Sequence, residues 1–284
     1  MKTVIITGAN SGLGFETAKK IAADKEYKVI LACRNIEKAG QAKDEIVRRT
    51  GNEQIVPMQL DLSSLASVRA FSKKIIEGGE KISVLVNNAG IAGMNKGTTE
   101  DGFELVFETN YLGHFLLVQL LLPQMAEDGR IINITSDMHN PPGGLTWPGT
   151  EKLAHPAEDD RRRYSYTKLC MIYLTHALDR RLREEDSGIT VNAFNPGFMA
   201  DTNFTKGGGK AREFMVKATM PDRYGKLSVS SDALAAVAAD PAFAKVSGEY
   251  FDRSTKTARS SDLSYSSENA AELWEKSLEY CGLK

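Results

Sequence analysis

Tyr164 and Lys168 stand four residues apart, so on a helix their side chains share one face. An isolated phenol titrates at about 10 and is a poor base at neutral pH. A neighbouring ammonium favours the phenolate, and so would any other positive charge close by. The pair therefore points to proton transfer by a tyrosine whose pKa is lowered. Spacing alone carries little, because pairs of this kind arise by chance in most proteins. What precedes it adds meaning: Ile131-Ile132-Asn133-Ile134-Thr135-Ser136 reads as a strand ending in a serine placed to hydrogen-bond a substrate oxygen.

A second chemical signature opens the chain. Thr7-Gly8-Ala9-Asn10-Ser11-Gly12-Leu13-Gly14 follows an apolar run and leads into a helical pattern. Gly8, Gly12 and Gly14 permit a sharp turn and close approach of the backbone to a pyrophosphate. The helix beyond them supplies free N–H groups and a partial positive charge. Glycines also close ordinary loops, but a strand before and a helix after are the context dinucleotide binding requires. The next strand ends Leu31-Ala32-Cys33-Arg34-Asn35, where an NAD enzyme places an acid. Arg34 stands there instead, and no acid comes before Glu37. A guanidinium pairs with a 2′-phosphate that an acid would repel, which favours NADP(H); the other reading is an arginine capping a surface loop. Asn10 and Ser11 add neutral donors. Asp61 and Leu62 end the third strand, placed to border adenine, and Asn87-Asn88-Ala89-Gly90 ends the fourth near the ribose.

These groups need a frame. β-branched or apolar runs at 4–7, 28–32, 55–60, 84–87, 130–134, 190–194 and 248–251 read as strands, and 13–23, 37–49, 65–77, 103–125 and 164–184 as helices. Continuous apolar strands alternating with helices indicate a parallel sheet covered on both faces. The right-handed crossover rule then makes it doubly wound. The expected architecture is an α/β Rossmann fold of about seven strands, as one domain over residues 1–284. Two stretches break the rhythm. Residues 137–163 carry Pro141-Pro142-Gly143-Gly144 and Arg161-Arg162-Arg163, and 200–230 carry Gly207-Gly208-Gly209. They read as substrate loops, or as surface insertions without a ligand role, the arginine run then being solvated.

Composition bounds the partners. A formal net charge of −1 argues against a broad nucleic-acid surface. Cys33, Cys170 and Cys281 are far apart without metal-ligand spacing, so no metal is expected and a reducing, cytoplasmic setting is the default. The fold starts at Met1-Lys2-Thr3-Val4, which leaves no expectation of a signal peptide or membrane anchor, and the apolar stretch at 115–122 reads as a buried helix. His114 on that helix reads as structural, His139 and His155 as loop residues within reach of substrate, Cys170 as core, and Asp159 and Asp160 as part of a surface charge cluster.

Taken in order, 7–14, Asn87-Asn88-Ala89-Gly90, Thr109-Asn110-Tyr111-Leu112-Gly113, Ser136, the Tyr164/Lys168 pair and Asn195-Pro196-Gly197 resemble the short-chain dehydrogenase/reductase family. The resemblance implies a tetrad in which Tyr164 is general acid/base and Ser136 orients the carbonyl or hydroxyl. Lys168 would lower the tyrosine pKa and grip the nicotinamide ribose, and Asn110 would hold a relay water. Pro196, Gly197 and Thr202 would line the nicotinamide. It implies hydride transfer between NADP(H) and a small-molecule carbonyl or secondary alcohol, in a protein that is a homo-oligomer or one of the monomeric members. Ala32-Cys33-Arg34, the long 136–164 interval, Lys168-Leu169-Cys170 and the tail with Trp274 look like the retinol dehydrogenase and protochlorophyllide reductase branch. That branch also contains reduction of a carbon–carbon double bond. However, Phe198 follows Pro196-Gly197 where the photoenzymes resemble one another in carrying cysteine. A third reading is a silent NADP(H) sensor, which would not need a complete tetrad. Met138, Leu145, Trp147, Phe198, Met199, Phe204, Phe214 and Met215 point to a hydrophobic substrate.

Overall fold

The strands pair because their apolar runs must be buried on both faces. Val4, Ile5 and Ile6 are fully buried in β1 (Lys2–Thr7), and Val84, Leu85 and Val86 nearly so in β4 (Ile82–Asn87). The computed structural model describes residues 1–92, 94–158, 160–199, 218 and 223–284. Most of the second expected loop, and Thr202 within it, lies outside the described residues. With β2 (Tyr27–Cys33), β3 (Ile55–Gln59), β5 (Met125–Ile134), β6 (Thr190–Asn195), β7 (Tyr250–Asp252) and β8 (Thr257–Ala258), the sheet runs in the order β3-β2-β1-β4-β5-β6-β7-β8. All neighbours are parallel except the antiparallel β7–β8 pair. Eight strands thus replace the expected seven; the extra one is two residues long, too short to leave a period in the sequence.

Helices cover the sheet as alternation along the strands demands. Val4, Ile6, Val84, Val86 and Ile132 face α1 (Gly12–Ala22), α2 (Ile36–Thr50) and, after the second loop, α7 (Leu227–Ala239). Ile5, Leu85, Ile131 and Val191 face the other layer. That layer holds α3 (Leu65–Glu77), α4 (105–121), the long α6 (Arg163–Glu184) and the C-terminal α8 (Ser267–Tyr280). Side-chain caps start four of them: Asn35 Oδ1 accepts the Lys38 N–H, Ser64 Oγ that of Ser67, Glu104 Oε2 that of Phe107 and Ser266 Oγ that of Asn269. Residues 227–230, expected within a loop, form the first turn of α7, and the first loop contains the short α5 (Thr150–Ala154).

The expected helix over 103–125 is not uniform. α4 begins as Leu105–Phe107, passes through a π-helical turn at Glu108–Leu112 and continues as Gly113–Leu121, after which a 3₁₀ turn with Pro123 leads into β5. Leu105–Gln124 has the length and apolar composition of a membrane span, yet 72% of its most apolar window is buried inside the protein. Gly113 lets it press on the sheet edge, for a Cβ there would stand 2.3 Å from the Leu62 carbonyl oxygen.

Glu108, at the head of the π turn, is fully buried against Thr99 and Asp101. Burial above all pushes its carboxyl up to about 8, with the charges of Asp101 and Asp61 adding to it and Thr99 opposing. The native state therefore holds this proton longer than the unfolded chain, and stability falls as pH rises from the ordinary glutamate range to about 8. Glu108→Gln stays neutral and should remove that fall, at up to about 1.4 kcal/mol per pH unit relative to the parent. Urea titrations at about pH 5 and about pH 8 measure it, and parallel profiles for the two proteins would exclude the assignment.

Candidate active site

The strand order reverses between β1 and β4, so the helices leaving their C-terminal ends go to opposite faces and a crevice opens between them. Gly8, at a φ of 67°, donates its N–H to the Ala32 carbonyl at 2.8 Å and turns the chain towards α1. At Gly14 a Cβ would stand 2.5 Å from Asn88 Nδ2 and 2.8 Å from the Gly8 oxygen. Ser11 occupies the N-cap of α1 without a side-chain cap, and the first turn holds no acid, which keeps the helix N-terminus open to an anion. Asn10 and Ser11 are half-buried, while Leu13 is anchored in the core. Arg34 is exposed just past β2, beside this turn, because the Cys33 thiol hydrogen-bonds the backbone of Ala9 and Asn10. These features fit the pyrophosphate of a dinucleotide.

Asp61 shapes the turn after β3, its Oδ1 accepting Ser63 N–H at 3.0 Å and Ser63 O–H at 2.6 Å, and Leu62 next to it is buried against α4. Asn88 and Ala89 are bound to β1: both N–H groups reach Thr7 Oγ1 at 2.9 Å, and Asn88 Nδ2 donates to the Thr7 carbonyl at 2.7 Å. On the far side of the crevice Pro196 accepts a hydrogen bond from Ser230 Oγ at 2.8 Å. Gly197, at a φ of 73°, packs so closely on Arg253 that a Cβ would meet its Cδ at 2.7 Å.

The four expected chemical residues converge. Tyr164 lies half-buried in the first turn of α6, with its hydroxyl hydrogen-bonded to Ser136 just past β5. Lys168 is 4% exposed; its Nζ donates to the Ile134 carbonyl at 3.0 Å and lies 5.6 Å from the Tyr164 ring centroid. Asn110 sits in the π turn, where Oδ1 accepts the Ile91 N–H at 2.7 Å and Nδ2 donates to the Ile91 carbonyl at 3.0 Å and to Thr167 Oγ1 at 3.2 Å. Gly90 is where they meet: a Cβ there would stand 3.2 Å from Asn110 Oδ1 and 3.7 Å from Lys168 Nζ. Desolvation dominates the electrostatics. Burial raises the Tyr164 phenol to about 12, with the Ser136 hydrogen bond opposing and Asp137 adding to it, and burial lowers the Lys168 ammonium to about 8.

Other expectations sort differently. Arg34 stands at the phosphate end, on the opposite flank of the sheet from Tyr164. His139 is buried with both nitrogens engaged, Nδ1 on the Ser136 carbonyl at 2.7 Å and Nε2 accepting Ser261 N–H at 3.1 Å, while His155 pairs with Glu151 on the surface. Asp159 lies outside the described residues. The arginine run is not all solvated: Arg163 is 9% exposed, donates to the Asn95 carbonyl at 3.1 Å and lies 3.8 Å from Glu104. Thr7, Thr135 and Thr167 were not expected at the site; each was hidden within or beside a motif, as a hydroxyl holding backbone in place. Thr135 Oγ1, for instance, donates to the Lys168 carbonyl at 2.8 Å.

Residues 2–147 match the short chain dehydrogenase family. Retinol dehydrogenase 13 of Homo sapiens is 38% identical over all of this chain and 85% of its own length. The chloroplastic short-chain dehydrogenase TIC 32 A of Brassica napus is 34% identical over 88% of this chain and 79% of its own. A crystal structure of an uncharacterized protein from Mycobacterium paratuberculosis superposes with a TM-score of 0.76 at 29% identity, covering 99% of this chain and 94% of that one. The chain belongs to the short-chain dehydrogenase family, oxidoreductases that use nicotinamide cofactors.

Gly14→Ala tests the packing of the turn. Its methyl would enter the space of the Asn88 amide, 2.5 Å away, and overpacking of this kind costs about 1–3 kcal/mol. Denaturant titration should show that loss; an unchanged midpoint would mean the turn yields freely.

Proposed function

We propose that this protein transfers hydride between NADP(H) and a carbonyl or secondary alcohol of a hydrophobic small molecule, with Tyr164 as general acid/base. The observation that carries the reading is the Tyr164 hydroxyl on Ser136, with Lys168 and Asn110 both against Gly90. Bound NADPH would supply the hydride. N–H groups at the head of α1 would hold the pyrophosphate, Arg34 the 2′-phosphate, Asp61 and Leu62 the adenine edge. Asn88, Ala89, Gly90 and Lys168 would hold the nicotinamide ribose, and Pro196 and Gly197 the nicotinamide side.

A phenol at about 12 is neutral at pH 7 and is a proton donor, which suits reduction. Tyr164 gives its proton to the substrate oxygen as that oxygen gains charge, and Ser136 orients the same oxygen. The Lys168 cation stabilises the phenolate left behind, an effect strengthened by the desolvation of both groups. Support for NADP(H) comes from the exposed guanidinium of Arg34 beside the glycine turn and from the lack of an acid between the end of β2 and Glu37. Support for an apolar substrate comes from Met138, which is 37% exposed two residues from Ser136.

Tyr164→Phe should cut NADPH-dependent turnover of ketones and aldehydes about 10²–10⁴-fold, the usual worth of one positioned acid, with NADPH affinity retained. Full turnover by this variant would remove Tyr164 from the role. Arg34→Ala should raise the Kd for NADPH about tenfold and leave that for NADH unchanged, as expected when one charge-assisted contact is lost. Equal effects on both dinucleotides would argue against a 2′-phosphate at Arg34.

A further inference from the structure

His114 lies one turn after Asn110 on α4 and is fully buried. Its Nδ1 is 3.1 Å from the main-chain oxygen of Asn110, and its Nε2 is 3.0 Å from Thr7 Oγ1. A carbonyl oxygen only accepts, so Nδ1 bears the hydrogen. Burial, together with the Lys168 cation, holds the ring neutral, with its pKa down to about 3. Nε2 is then an acceptor, and the Thr7 hydroxyl must donate to it. That leaves the hydroxyl lone pairs for the N–H groups of Asn88 and Ala89 at 2.9 Å, and the Val86 carbonyl at 3.4 Å is a distant competitor. Every donor and acceptor in this set has one consistent assignment.

We propose that His114 is a positioning residue for the hydride-transfer centre: as a neutral Nδ1–H imidazole it ties the Asn110 carbonyl to Thr7, so the dinucleotide turn and the π turn presenting Asn110 stay at one separation. The proposal rests on the function assigned above to that centre. A histidine serving only as filler would tolerate an apolar side chain of similar size. Here leucine leaves a buried carbonyl and a buried hydroxyl without the imidazole that joins them. Asparagine keeps a donor where Nδ1–H stands but cannot reach Thr7, and glutamine does the reverse.

The first test is independent of turnover. ¹⁵N-histidine spectra of the full chain, with His114→Asn assigning the signal, should show a neutral Nδ1–H ring that does not titrate between about pH 5 and 8. An Nε2–H ring, or one titrating in that window, overturns the proposal. The second compares His114→Leu, His114→Asn and His114→Gln per folded molecule. His114→Leu should lower kcat about tenfold to a hundredfold, with a smaller change in KM for NADPH, as a displaced catalytic turn would. His114→Asn and His114→Gln, each keeping one of the two contacts, should each recover only part of that loss. Unchanged kcat in His114→Leu, or full recovery by either variant that keeps a single contact, overturns the proposal. Should the parent itself fail to turn over carbonyls or alcohols with NADPH, the assigned function fails, and the tautomer measurement alone then decides His114.

Discussion

The close approach of the ends of β1 and β4 is the constraint on which the site depends. Thr7 accepts two backbone N–H groups from Asn88 and Ala89, and its carbonyl accepts the Asn88 amide. A Cβ at Gly8 would stand 3.0 Å from the Cα of Ala89. Two strands whose crossovers leave to opposite faces would otherwise splay at this edge, because nothing continues the sheet ladder beyond Thr7 and Asn87. Side-chain hydroxyl and amide groups take over where the ladder stops. The crevice is thus bounded by backbone with little freedom, which is what close contact with a dinucleotide requires.

The chemical end is built on a different principle, the exclusion of water. Tyr164 and Lys168 enter the interior on α6, whose backbone is tied to β5 by Thr135 and whose first turn is tied to the α4 side by Arg163 beside Glu104. Burial penalises charge on both residues, raising one pKa and lowering the other. The penalty is useful because in such surroundings one added charge moves the tyrosine further than it would in water. The π turn serves the same end from α4. It widens the helix by one residue where Asn110 must reach Ile91 and Thr167, and Glu108 at its head stays buried by keeping its proton.

Strand ends and glycine turns were legible in the sequence because their signals are local. Apolar runs of four to six residues, a glycine series between strand and helix, and a serine closing a strand each carry their own physical reason. The residues that escaped notice act through pairings at long range. Thr7 meets Asn88 across 81 positions and His114 across 107, and no periodicity announces such contacts. The π turn was invisible for a related reason. Glu108-Thr109-Asn110-Tyr111-Leu112 has an ordinary helical pattern, and its widening is imposed by Gly113 seating on Leu62 and by the anchors of Asn110. Strand β8 owes its existence to the pairing of Tyr250 with Ala258 and Phe251 with Thr257, not to propensity.

Behind Ser136 the strand ends are locked once more, by charge. Asn195 donates to both Asp137, at 2.9 Å, and Asp252, at 2.8 Å, and its own oxygen accepts the Gly197 N–H at 3.0 Å. Arg253 bonds both carboxylates while its N–H reaches the Asn195 carbonyl at 2.7 Å, in a left-handed conformation at a φ of 57°. Such a conformation is costly for a residue with a side chain and persists where its surroundings demand it. Here they do, because the guanidinium must lie over Asp137 while the aliphatic stem covers Gly197. One arginine thereby joins the residue after Ser136 to the glycine on the nicotinamide side of the crevice. The two walls of the crevice at Asp137 and Gly197 are held by the same side chain, so their spacing is set by Arg253 itself. Fixing that spacing from a residue outside both walls, on the turn after β7, leaves it independent of the residues that line the crevice.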